Sequence, residues 1–163
     1  MLRLRIKVIL KILTSCAIAR LRRLRMRDDV KILVAGDDDQ RRTQLMQRLE
    51  AAGCSVTIAA NGLIADRLSQ QSQFDVLVTD ILMPEMDGLE LIRSVRGRNN
   101  GVRIVAMLDS GASHNEGFLR SLARTANFFG ADAIVRDTAS ADALFAAIGG
   151  SAAPVPGSAP QPF

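Results

Sequence analysis

The chain contains no tryptophan and no tyrosine, and its aromatic residues are six phenylalanines among 163 positions. That leaves little on which a flavin would stack, and it assigns the core to Leu, Ile, Val and Ala. The only two cysteines are Cys16 and Cys54, too few for a disulfide framework and in keeping with a reduced, cytoplasmic setting. The single histidine, His114, excludes a His/Cys metal cluster and reads as a solvated loop residue. No glycine-rich phosphate loop and no nucleophile–histidine pair is visible, which argues against common enzyme classes on an α/β scaffold. The apolar run from Val8 to Ala19 is interrupted by Lys11 and is too short to cross a bilayer.

Acidic residues are missing from positions 1–27, which hold nine of the 21 Lys and Arg and none of the 17 Asp and Glu. The remainder therefore has 12 basic against 17 acidic residues, a balance of −5 that the overall +4 conceals. A basic leader is attached to an acidic domain, and the acidic part has no character of a nucleic-acid binder. Three readings of the leader stay open. It is a signal or anchor segment, with Leu13-Thr14-Ser15-Cys16 resembling a lipoprotein cleavage site. It is a basic amphipathic helix on an anionic membrane surface. Or it is an upstream extension, with Met26 near the real start; this third reading is preferred. The expected organisation is a basic extension over 1–28, one domain over 29–149, and a disordered Pro/Ala/Gly tail over 150–163.

What is present centres on FDVLVTDILMPEMDG, Phe74 to Gly88. The run Phe74–Val78, broken only by Asp75, suits a strand buried on both faces of a parallel sheet. Asp80 follows at the expected carboxyl end, where open α/β sheets bind ligands. Pro84 and Gly88 punctuate a loop before the helical pattern of Leu89, Leu91, Ile92 and Val95. On position alone Asp80 is either a functional acid or a helix cap.

In chain order, strands are expected over 30–35, 55–60, 74–80, 102–108 and 131–135. Helices are expected over 40–52, 62–70, 88–96, 116–129 and 140–148, the first carrying Leu45, Met46 and Leu49 on one face and stopping at Gly53. After the first strand comes Gly36-Asp37-Asp38-Asp39, in which Asp39 is the natural cap. Five strands alternating with five helices predict an α/β fold, a doubly wound parallel sheet.

The stretch around Asp80 resembles the phosphoacceptor segment of response-regulator receiver domains, the CheY-like family. That family places an Asp at the end of its third strand, then Met-Pro, then Asp-Gly; here these are Asp80, Met83-Pro84 and Asp87-Gly88. The resemblance covers about Val30 to Ile148. It implies a five-stranded parallel sheet of flavodoxin/CheY-like type, strand order 2-1-3-4-5. It also implies that Asp80 accepts the phosphoryl group and that Mg²⁺ is held by Asp37, Asp80 and the backbone carbonyl of Leu82. Two carboxylates converging in a cleft repel each other, and Mg²⁺ accepts one or two of them while keeping several waters.

The family pattern also breaks. Its acidic pair after the first strand is here Gly36 and Asp37, so the outer acid is lost. Its Ser or Thr ending the fourth strand is Leu108, and its Lys-Pro after the fifth strand is Asp137-Thr138. The aromatic switch position reads Ile134, and the segment between Leu108 and Gly130 is longer than usual. Ser110 and Arg136 are the conceivable substitutes for the missing hydroxyl and cation.

The expected function is a stand-alone receiver without enzyme activity of its own beyond self-phosphotransfer and autodephosphorylation. Its partners are a histidine kinase or histidine phosphotransferase and a downstream protein, not nucleic acid, with membrane contact left only to residues 1–27. The rival reading is a pseudo-receiver, the same fold acting as a phosphorylation-independent binding module. A flavodoxin-like enzyme is the weakest reading.

Overall fold

Short apolar runs separated by amphipathic stretches fold as their periods require. The computed structural model describes residues 30–99, 101–108, 115–136 and 141–149. Its elements are β1 (Lys31–Ala35), α1 (Asp39–Ala51), β2 (Ser55–Ala59), α2 (Gly62–Gln71), β3 (Val76–Asp80), α3 (Gly88–Arg98), β4 (Arg103–Leu108), α4 (Glu116–Phe128), β5 (Ala133–Arg136) and α5 (Ala141–Ile148). The sheet has five parallel strands in the order β2-β1-β3-β4-β5, as expected. The leader, the tail, His114, Ser110 and Asp137-Thr138 lie outside the described residues.

Alternation along the strands divides the core in two. Leu33, Leu77, Ile104 and Ala106 face Ala65, Leu91, Ile92, Val95, Leu119 and Ala126, so α2, α3 and α4 cover one side. Ile32, Val34, Val76, Val78, Val105 and Met107 face Leu45, Leu49, Leu144 and Ile148, so α1 and α5 cover the other. β3 lies at the centre, buried along its whole length and feeding both layers.

Several boundaries differ from expectation for identifiable reasons. Phe74 packs on the core but precedes the strand, because Asp75 turns its carboxylate to the backbone N–H of Lys31 (2.8 Å). The carboxyl end is as expected: the ladder runs through Thr79 and Asp80, paired with Ala106 and Met107. β4 starts at Arg103 and β5 at Ala133. Gly53 does follow the end of α1, donating to the Glu50 carbonyl. In α2 the buried positions are Gly62 and Ala65, while Leu63 and Ile64 are exposed.

At the amino edge of the sheet Arg96 ties three elements together. Its guanidinium donates to the carbonyls of Val102 (2.9 Å) and Gly130 (2.7 and 3.1 Å) and pairs with Asp132 (2.7 Å). The opposite, carboxyl edge is thereby left to the loops that carry Asp80. No helix among the described residues is long and apolar enough to cross a membrane.

Candidate functional site

Asp80 ends β3 and is only 5% exposed. A carboxylate in such a place is costly unless a charge or hydrogen-bond donors meet it. Arg41 does so: its Nη1 lies 3.3 Å from Oδ1 of Asp80, and its side chain is 23% exposed.

Arg41 is placed by how α1 begins. Asp38 is extended and its carboxylate accepts the backbone N–H of Arg41 (2.8 Å), so Asp38 is the cap and not Asp39. That hydrogen bond, with the nearby guanidinium, holds the Asp38 carboxyl below its usual value. Asp39 pairs instead with Arg42, whose buried guanidinium also donates to the Gly36 carbonyl. The three consecutive acids thus divide their roles. Asp38 caps, Asp39 neutralises Arg42, and Asp37 stands exposed on the loop.

The register brings β1 against Asp80. Ala35 pairs with Thr79, so Gly36 is level with the acid. A Cβ on Gly36 would come within 2.7 Å of Oδ2 of Asp80, so this position leaves no room for a side chain as the cleft now stands. Asp37 is one residue further along the same edge. The structure places Asp37 and Asp80 on the ends of adjacent strands, one exposed and one buried.

The loop after β3 is held equally closely. The Gly88 N–H donates to the Ile81 carbonyl (2.8 Å), and a Cβ on Gly88 would land 2.0 Å from the Asp80 carbonyl oxygen. Asp87 caps α3 through the Glu90 N–H. Between them Glu85 adopts φ 67°, a left-handed conformation that Met86 N–H closes onto the Pro84 carbonyl (2.9 Å). Asn61, the cap of α2, reaches across to the Glu85 carboxylate (2.9 Å). Leu82 lies in this loop and is 45% exposed.

The departures foreseen at the far side of the cleft take physical form. Leu108 ends β4 buried in the core and offers no hydroxyl. Ile134 is half-buried against the same core layer. Arg136 is not directed at Asp80: it grips Glu116 through two hydrogen bonds (2.9 and 3.0 Å), joining the end of β5 to the start of α4. That pair and Arg120 keep the Glu116 carboxyl below its usual value. Sequence reasoning looked for a substitute cation at Arg136 and missed Arg41. The available signal was a basic residue in the first turn after the acidic loop, but Arg41 and Arg42 both met that description.

Among the described residues no three His, Cys, Asp or Glu side chains cluster as a metal site. Asp37 and Asp80 nevertheless bring two carboxylates to the same edge of the sheet. That set suits a hard cation that takes few protein ligands and retains water, as Mg²⁺ does.

Known proteins share this fold. The response regulator receiver domain profile matches residues 32–147, and the chain belongs to that family of two-component signalling modules. The receiver protein CpdR of Brucella abortus is 49% identical over 63 residues, which is 39% of this chain and 52% of CpdR. The response regulator MprA of Mycobacterium tuberculosis is 37% identical over 78 residues, 48% of this chain and 34% of MprA. The matched segments thus span about half or less of those relatives. Among solved structures, a receiver domain protein from Clostridium thermocellum superposes with TM-score 0.66 at 23% identity, covering 75% of this chain and 93% of its own. TrrA of Thermotoga maritima, solved with Mg²⁺–BeF, gives TM-score 0.58 at 26% identity over 70% of this chain and 91% of its own.

Proposed function

We propose that Asp80 is the phosphoacceptor of this receiver, supplied by a histidine kinase or histidine phosphotransferase in the cytoplasm. The observation that carries the reading is a carboxylate buried at the end of the central strand, with Gly36 after β1 and Gly88 after β3 packed against it. An oxygen of Asp80 attacks the phosphorus of a phosphohistidine. The P–N bond breaks, its electron pair leaves on the imidazole, and a carboxyl phosphate remains on Asp80. Asp37, Asp80 and the Leu82 carbonyl would hold Mg²⁺, which when bound offsets the repulsion between an anionic nucleophile and an anionic donor. Asp38 and Asp87 set the start of α1 and α3, so the loops that carry these donors are fixed before any donor arrives. The backbone N–H groups at those helix starts add a favourable field for the incoming anion.

Signalling then passes through a downstream protein that reads the receiver's surface. A phosphorylation-independent binding module would keep the fold, but it supplies no reason for an acid buried at this strand end. The test is uptake of labelled phosphate from a histidine kinase or a small phosphoramidate with Mg²⁺ present. Wild type takes up label stable to base-free quenching and Asp80→Asn takes up none; an unlabelled wild type overturns the reading.

A further inference from the structure

We propose that Arg41 is a resident counter-cation of Asp80 that competes with the divalent ion for the same carboxylate. The inference rests on the acceptor reading of this site and concerns the state of the acid before phosphoryl transfer. Arg41 Nη1 is 3.3 Å from Oδ1, and Asp80 is buried, so this contact sits where water screens charge poorly. Asp39 is taken by Arg42, and Asp38 spends its carboxylate on the Arg41 backbone N–H. Gly36 contributes no carboxylate, and a side chain there would strike Oδ2.

The consequence is a cleft whose charge is already partly balanced. A divalent ion approaching Asp80 meets one negative charge fewer than a paired-acid cleft would offer, and a fixed positive charge beside it. Binding then requires the guanidinium to leave Oδ1, at the cost of that ion pair. Arg41 comes from the first turn of α1, whose start is fixed by the Asp38 cap, so it is held over the acid rather than swinging from a free loop. Its partial exposure gives it somewhere to go once displaced. Arg41 is therefore a positioning residue for Asp80 in the resting protein and sets the ion concentration at which the acid becomes available.

The experiment is Mg²⁺ titration of the full chain at fixed ionic strength, followed by calorimetry and by backbone amide shifts of residues near Asp80. Wild type, Arg41→Gln, Arg41→Lys and Arg41→Gln/Asp80→Asn are compared. Removing the charge in Arg41→Gln is expected to tighten Mg²⁺ binding by at least about tenfold, the repulsion between a single and a double charge several ångströms apart even under full water screening. Arg41→Lys keeps the charge and stays near wild type, and the double variant loses the gain. Unchanged spectra far from the site verify folding of each variant. Equal affinity in wild type and Arg41→Gln overturns the proposal, as does failure of both to bind Mg²⁺. Because phosphate uptake is measured separately, loss of this inference and loss of the acceptor reading are told apart.

Discussion

At the scale of single residues, the cleft is shaped by two glycines whose missing side chains serve different neighbours. A Cβ on Gly88 would sit 2.0 Å from the Asp80 carbonyl oxygen and 2.7 Å from the Ile81 Cα. Both are backbone atoms of the strand end and cannot yield without moving the acid itself. A Cβ on Gly36 would meet the Asp80 carboxylate, which can rotate aside. Gly88→Ala should therefore cost about 3 kcal/mol or more, at the upper end of overpacking penalties, and Gly36→Ala about 1 kcal/mol. Urea denaturation checks this: the midpoint should fall further for Gly88→Ala, with slopes matching wild type. The reverse order would mean that the loop after β3 yields more readily than the acid does. The motif Asp87-Gly88 was legible as a helix start, but the close approach that makes this glycine necessary depends on where the loop returns over β3. Only the folded backbone supplies that.

Between elements, the clearest electrostatic tie is Asp66 on α2 with Arg98 at the end of α3, 2.6 Å apart. Burial pushes the Asp66 carboxyl up, but hydrogen bonds from Arg98, Ser94 and Gln70 outweigh it and leave the group below its ordinary value of 3.8. A lowered folded-state value contributes stability that is present above the unfolded value and lost as pH falls through the folded one. Asp66→Asn should thus be less stable than wild type by about 1 kcal/mol at neutral pH, given that Arg98 is partly solvated. The gap should stay constant from about pH 7 to pH 5, shrink from about pH 4 as the unfolded chain takes up the proton, and close once pH has fallen through the lowered folded value. Thermal unfolding of both chains across that range measures it, and a gap that persists in acid would assign the effect to packing. Such pairs are not legible in sequence, since 32 positions separate the partners. Element types and order were legible because strand and helix periods differ. Element ends were less so: the apolar run Phe74–Val78 reports burial, whereas Thr79 and Asp80 pair in the ladder despite being polar. Among three consecutive aspartates the sequence pointed to Asp39 as the cap of α1, and the extended backbone at Asp38 makes Asp38 the cap instead.

For the molecule as a whole, the position of the acid on β3 links the site to global stability. Leu77 faces the layer under α2, α3 and α4, while Val76 and Val78 face the layer under α1 and α5. Neither layer keeps its packing if β3 leaves the sheet, so the two should unfold together in one transition. A ligand held by Asp80 in the native state, and by nothing in the unfolded chain, therefore raises the stability of the entire domain rather than of one loop. The gain is set by concentration relative to affinity, about 2.7 kcal/mol at one hundred times the dissociation constant. Mg²⁺ with beryllofluoride, a tetrahedral stand-in for the phosphoryl group, should then shift the unfolding midpoint of wild type upward. Asp80→Asn should show no such shift, since it lacks the anionic oxygen that joins beryllium. Differential scanning calorimetry in matched fluoride buffers separates these outcomes. A single transition that moves in wild type alone would tie phosphoryl binding to the central strand. A shift of equal size in Asp80→Asn would place the anion elsewhere on the surface and remove Asp80 from the acceptor role.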